Sequence, residues 1–264
     1  MALTQEQIEQ YKTKGYVLGG VVLDEGEVEA LRSEMDRVIR DQDHLLKKPI
    51  WIINLTGKAE APVWQIVNIC DASDEFMKLV NNPQIVEMAA RLSEATELRL
   101  WHDQIQYKPA QTGGVNMWHQ DSPYWPNLTP KEAQITAWVA LDDVDESNGC
   151  MSMVPGSQTW GDQIEYIHKN ISDFHQLPET FNGQALHAVT CPVKKGGVHF
   201  HHPLTWHGSQ ANVSGRPRRA IALHYLTQNS CYTGKGDHPM KQFIKTGVGE
   251  KIVGDHFPQV WPRK

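Results

Sequence analysis

The feature that most limits the possible folds is a change of rhythm at Glu97. From there "ELRLWHDQIQYKP" sets Leu98, Leu100 and His102 against Arg99, Trp101 and Asp103, the two-residue period of a strand. "ITAWVALDDV", "CMSMVP", "GGVHFHH" and "RRAIALHYL" continue as strand candidates, separated by turn-rich pieces such as "DESNG", "PGS" and "NVSGRP". Short strands without helices between them predict an antiparallel sandwich or barrel and exclude a parallel α/β sheet.

Upstream the period is helical. Thr4 with Gln7 forms a capping box, Gly15 supplies a stop, and "YVLGGVVL" reads as a strand. Asp24 caps a helix whose Val28, Leu31, Met35 and Val38 share one face. After a loop with Pro62, a further helix starts near Pro83. The outline is α+β, mainly β, in a single domain: a helical part over about 1–96, a β core over about 97–228 and a C-terminal extension over 229–264. Residues from about Gln158 to Thr190 have weak periodicity and read as a long insertion or lid.

At 264 residues the chain can bury a substantial core without disulfides or a structural metal. Its net charge of −6 argues against nucleic acid and anionic membranes as partners. Cys70, Cys150, Cys191 and Cys231 are scattered and suit a reducing compartment. The start "MALTQEQIEQ" lacks a basic-then-apolar signal pattern, and the apolar "IWIINL" is too short to span a bilayer. The expectation is a soluble cytoplasmic protein.

Within this frame "MWHQD" places His119 and Asp121 two residues apart, on one face if the stretch is a strand. His207 stands at the edge of a later strand. Two imidazoles and a carboxylate on a β scaffold make a facial triad, which holds Fe(II) and leaves three positions open. Zinc can use the same residue types. Arg216, Arg218 and Arg219 follow a turn after His207, and alternation favours Arg218 as the inward one. An arginine beside an iron site offers a planar fork to the far carboxylate of a keto acid.

"WHQD", "NGCMSMVPGS", "FHHPLTWHGSQAN" and "RPRRAIALHY" together resemble the phytanoyl-CoA dioxygenase family of Fe(II)- and 2-oxoglutarate-dependent oxygenases, over about Trp101 to Tyr225. The resemblance implies a double-stranded β-helix, a jelly-roll or cupin-like core with the N-terminal helices packed on it. It implies His119, Asp121 and His207 as iron ligands and Arg218 as anchor for the C5 carboxylate of 2-oxoglutarate. It also implies Trp138 and Gln104 as walls of the co-substrate pocket. The implied reaction consumes O2 and 2-oxoglutarate and hydroxylates a small-molecule substrate, releasing succinate and CO2. Desaturation, epimerisation and ring formation use the same ligands. Asp121 favours oxygen transfer, because related halogenases carry a small residue there.

Two departures from the family pattern are Gly197, where an aspartate is common, and Gln158, where a histidine is common. The alternative class is a cupin-like metal-binding protein without oxygenase activity, a zinc isomerase or degenerate sensor, which has no use for Arg218. His199, His201 and His202 read as structural. Lys108 reads as solvated, and His102 and Asp103 as satisfied strand residues. Tyr124 and Trp125 suit a substrate wall and the core equally. No basic run suits a CoA phosphate, and the aromatic belt around "NMWHQDSPYWP" suits an apolar or cationic molecule. Neither the substrate nor the oligomeric state is legible.

Overall fold

The computed structural model describes residues 3–54 and 63–263; the loop at Pro62 lies outside the described residues. The expected capping box of Thr4 with Gln7 forms on helix Gln5–Lys14, and Asp24, expected as a cap, forms a second box with Glu27 on helix Glu25–Arg40. Each box satisfies amide donors that a helix start leaves free. Gly15 closes the first helix in the left-handed region at φ 80°. A further helix runs Pro83–Leu92, with Pro83 in its first turn.

Eight strands make the larger antiparallel sheet. Its order is Tyr16–Val21, Gly197–His201, Gln134–Ala140, Arg218–Thr227, Leu98–Lys108, Trp64–Val67 and Trp51–Asn54, with Gln259–Trp261 pairing on Leu98–Lys108. A smaller sheet, in the order Val189–Cys191, Met151–Met153, His207–Ser209 and Asn116–His119, faces it. This is the cupin-like double-stranded β-helix, with helices laid on the outer face of the larger sheet. Val28, Leu31, Met35 and Val38 pack there with Ile85, Val86, Ile221 and Leu223. The inner faces meet through Trp138, Ala220, Ala222, Met151 and Met153. The two alanines leave room between the sheets for larger groups.

The plain alternation expected from Leu98 onward is interrupted. His102 pairs with His224 but Leu100 pairs with Tyr225, so Trp101 is an extra residue in the ladder. A bulge of this kind reverses which side chains face inward. Leu98 and Leu100 therefore share the helix-side core with Ile105, while His102 leaves their face. The bulged Trp101 packs with Trp125, Leu226, Met240 and Phe257.

Residues 158–190 are not a loose insertion. Ile167, Ile171, Phe174 and Phe181 form a buried cluster with Trp118 and Trp206, the neighbours of His119 and His207. The weak periodicity arises because these side chains converge on one cluster from a short helix, Ile164–Asn170, and irregular chain. Gln158, one of the two departures, donates to the carbonyls of Lys12 and Thr13 and ties this segment to the first helix. Among the described residues no helix is long and apolar enough to cross a membrane.

Candidate active site

His119 and His207 are paired across the Asn116–His119 and His207–Ser209 strands, with ring centroids 4.1 Å apart. Gly208 permits this approach, since a Cβ there would meet the Asn116 carbonyl oxygen at 2.8 Å. Asp121 follows at the strand end. Ligand atoms from His119, Asp121 and His207 all lie within 4.8 Å of one another, the one such group of His, Cys, Asp and Glu among the described residues.

The hydrogen bonds around this trio select its protonation. His119 Nδ1 lies 2.7 Å from the Met117 carbonyl oxygen and His207 Nδ1 2.9 Å from that of Thr205. A carbonyl only accepts, so both rings carry the proton on Nδ1 and turn an Nε2 lone pair toward the shared centre. Asp121 divides its oxygens. Oδ2 accepts from Thr136 Oγ1 at 2.8 Å and from His201 Nε2 at 3.0 Å, while Oδ1 faces the two imidazoles. The donor set suits a divalent cation such as iron or zinc.

Electrostatics agree with that arrangement. Burial, then His207, pushes the His119 imidazole down to about 3. Burial alone would raise the Asp121 carboxyl, but His207 and His201 hold it well below the usual range. Burial likewise opposes a proton on His207, yet the Asp121 carboxylate outweighs it and raises that group. The place a cation would take thus favours positive charge.

Arg218 faces the same interior, as alternation predicted. It is fully buried, donating from Nη1 to the Gln106 carbonyl at 3.1 Å and from Nη2 to Ser209 Oγ at 3.4 Å. Its Nε has no partner, and no carboxylate reaches the guanidinium among the described residues. Burial lowers it only to about 10, so it keeps its charge. The Trp138 ring lies 5.6 Å from the guanidinium carbon. Arg219 instead pairs with Asp142 at 2.8 Å, and Arg216 with Asp145 at 2.6 Å on the surface.

A narrow slot beside the metal-ligand candidates is lined by Gln106, Asn116, Trp138, Ser209 and Ala222, and Gln106, Trp138 and Ser209 in turn contact Arg218. Gln104 stands outside this slot, on the wall of a wider adjoining cavity; Gln106, two residues on, lines both. Lys108 is a correction. It is buried, and its ammonium donates to Ser209 Oγ at 2.7 Å, to the Ser209 carbonyl at 3.1 Å and to the Gln210 carbonyl at 2.7 Å. Burial, then Arg218, pulls it down to about 5. The shift opposes charge while three accepting oxygens favour it; the geometry, with every N–H used, describes an ammonium. A lysine is rarely buried, and only its parity with Gln104 and Gln106 beyond the bulge signalled this one.

The other histidines divide. His201 and, through Thr136, His224 brace the Asp121 carboxylate. His199 stacks on Tyr16. Asp103 is satisfied by the Ile69 and Cys70 amides, but His102 is not: both its ring nitrogens are buried without partners. Tyr124 and Trp125 line the wide cavity.

The sequence profile of the phytanoyl-CoA dioxygenase (PhyH) family matches residues 11–220. The chain belongs to the phytanoyl-CoA dioxygenase family. Among curated members of this phytanoyl-CoA dioxygenase group, the peroxisomal phytanoyl-CoA dioxygenase of Bos taurus is 24% identical over 251 residues, covering 87% of this chain and 70% of that one. Ectoine dioxygenase of Bordetella bronchiseptica is 26% identical over 269 residues, covering 96% and 85%. Among solved structures, the non-haem α-ketoglutarate-dependent carbocyclase SnoK from nogalamycin biosynthesis superposes with a TM-score of 0.75 at 27% identity, covering 97% and 96%.

Proposed function

We propose that this chain is an Fe(II)- and 2-oxoglutarate-dependent oxygenase that hydroxylates a small molecule, with His119, Asp121 and His207 holding the iron and Arg218 the co-substrate. The whole chain acts as one phytanoyl-CoA dioxygenase-like domain. The observation that carries this reading is the buried, charged Arg218, which lacks a carboxylate and lies directly behind Gln106, Ser209 and Trp138 of the slot beside the metal-ligand candidates. A buried cation without a counter-ion is costly, and a dicarboxylate in the slot supplies one. A cupin-like zinc protein would gain nothing from it. The four cysteines are free, which supports a reducing, cytoplasmic location.

When bound, iron with 2-oxoglutarate and O2 supplies the oxidising chemistry, the keto acid leaving as succinate and CO2. The protein supplies position and exclusion. His119 and His207 present neutral Nε2 lone pairs, and their backbone-anchored Nδ1–H groups hold the rings in place. Thr136 and His201 fix the carboxylate plane of Asp121. Arg218 would hold the distal carboxylate of the co-substrate, and Trp138, 5.6 Å from the guanidinium carbon, would wall that end of the slot. Gln106, between slot and wide cavity, separates co-substrate from substrate.

Anaerobic addition of Fe(II) and then 2-oxoglutarate tests the assignment. The expected result is a weak visible charge-transfer band, lost in His207→Ala and requiring at least tenfold more 2-oxoglutarate in Arg218→Ala. Tight iron binding with no band in the unaltered protein would favour the cupin-like metal protein without oxygenase activity.

A further inference from the structure

The wide cavity has a volume of about 480 Å³ and runs outward from His119 and Asp121. Its lining includes Trp51, Trp118, Tyr124 and Trp125. Among its described lining residues there is no lysine, arginine or glutamate, and the sole carboxylate, Asp121, is already tied to Thr136 and His201. An ion that gives up water to enter such a space meets no opposite charge among the described lining residues beyond Asp121, so these walls favour an uncharged occupant.

The lining also holds a row of imidazoles. His224 comes first, its Nδ1 2.9 Å from Thr136 Oγ1. Because Thr136 gives its own proton to Asp121, it must accept from His224, which leaves His224 Nε2 as an acceptor. His102 follows, 4.5 Å away between ring centroids, with neither nitrogen partnered. His238 is next, 5.3 Å from His102, and its Nδ1 accepts the Met240 amide at 3.2 Å, so its Nε2 carries the proton. Burial, which pushes His238 down to about 4, agrees with a neutral ring. The row therefore reads acceptor, a ring able to do either, donor.

These rings are held rather than loose. Trp101 stacks on His238 at 5.1 Å, and Trp125 meets His102 edge-on at 5.7 Å and His224 at 4.9 Å. A buried imidazole with two free nitrogens is rare in a finished core, where such groups find partners. Held beside a cavity, it is a socket for a ligand's polar group.

We propose that His224, His102 and His238 form the recognition edge of the substrate cavity, and that the substrate is an uncharged ring compound presenting hydroxyl or carbonyl groups to His102 and His238. Its apolar face lies against the lining tryptophans, and its reacting carbon is nearest His119 and Asp121. The placement of that carbon rests on the iron reading above; the recognition of the neutral polar edge does not.

Calorimetric titration of the anaerobic protein, loaded with Fe(II) and 2-oxoglutarate, with two matched probes tests this. 4-Nitrophenyl β-glucoside is neutral, and 4-nitrophenyl β-glucuronide has the same shape with a carboxylate. The expected result is at least tenfold tighter binding of the glucoside, with His102→Phe and His238→Phe each weakening it about tenfold, the worth of one hydrogen bond. Both variants should keep the visible band. His238→Phe, in an irregular segment, guards against a folding defect in His102→Phe, and near-ultraviolet circular dichroism checks both. Equal or tighter glucuronide binding, no loss in either variant, or no measurable glucoside binding would overturn the proposal. Loss of the band with probe discrimination intact would sink the iron reading alone.

Discussion

Asp121 illustrates how much of a site can hang on one hydroxyl. Thr136 Oγ1 gives its proton to the carboxylate and receives one from His224, so Thr136→Val strands both neighbours. Removing a group that braces a metal ligand costs about 10- to 100-fold in affinity. Anaerobic Fe(II) titration of Thr136→Val should show a loss in that range, and unchanged affinity would mean that the His201 bond alone suffices to hold Asp121. Protonation gives a second expectation. His119 is pushed down to about 3, and His202, His224 and His238 to about 4, from an ordinary 6.5. Below 6.5 the unfolded chain takes up protons that the folded one refuses, so stability falls with pH down toward 4. His207, raised by Asp121, adds stability below 6.5 that is lost as pH rises through its folded value. His102, His199 and His201 are lowered as well, so seven histidines oppose His207 and the raised Asp103, and urea midpoints of the metal-free protein should drop steadily from pH 6.5 to 4.5. The iron-ligand candidates and Arg218 were legible because residue type, spacing and alternation agree. Lys108 and His102 were not, because their inward direction depends on an unseen bulge.

Elements succeed or fail by how local their causes are. The helix starts at Thr4 and Asp24 were readable because a capping box lies wholly within four residues. The bulge at Trp101 was not, since its cause is a socket of Trp125, Met240 and Phe257 drawn from distant sequence. Residues 158–190 defeated a periodicity reading for a similar reason. Gly208 shows the same dependence on a neighbour, because the Asn116 carbonyl lies against it from the partner strand. Gly208→Ala should push apart the strands that carry His207 and His119. The expected cost is about 1–3 kcal/mol in stability, with at least a tenfold loss of Fe(II) affinity. Chemical denaturation and metal titration on one sample separate the two effects, and wild-type iron binding would show that the strands can part without harm.

At the scale of the molecule, sequence conveyed the layers but not their closure. Helices on one sheet and a facing second sheet follow from the two rhythms and the family resemblance. That residues 229–263 complete the body follows only from contacts. Met240, Ile252 and Phe257 bury against Trp101 and Leu226, and Gln259–Trp261 pairs with the Leu98–Lys108 strand. Deleting residues 229–264 removes several such side chains, each worth about 2–5 kcal/mol, against a total stability of about 5–15 kcal/mol. The shortened chain should unfold without a cooperative transition in urea; a sharp one would show that the core stands alone. The carbonyl of Gly15 takes the amide of His202 and the hydroxyl of Thr205, and so steadies the approach to His207 from the opposite end of the sequence. Iron capture by such a chain waits on segments nearly two hundred residues apart, so a polypeptide translated only through Asp121 has nowhere to put a redox-active ion.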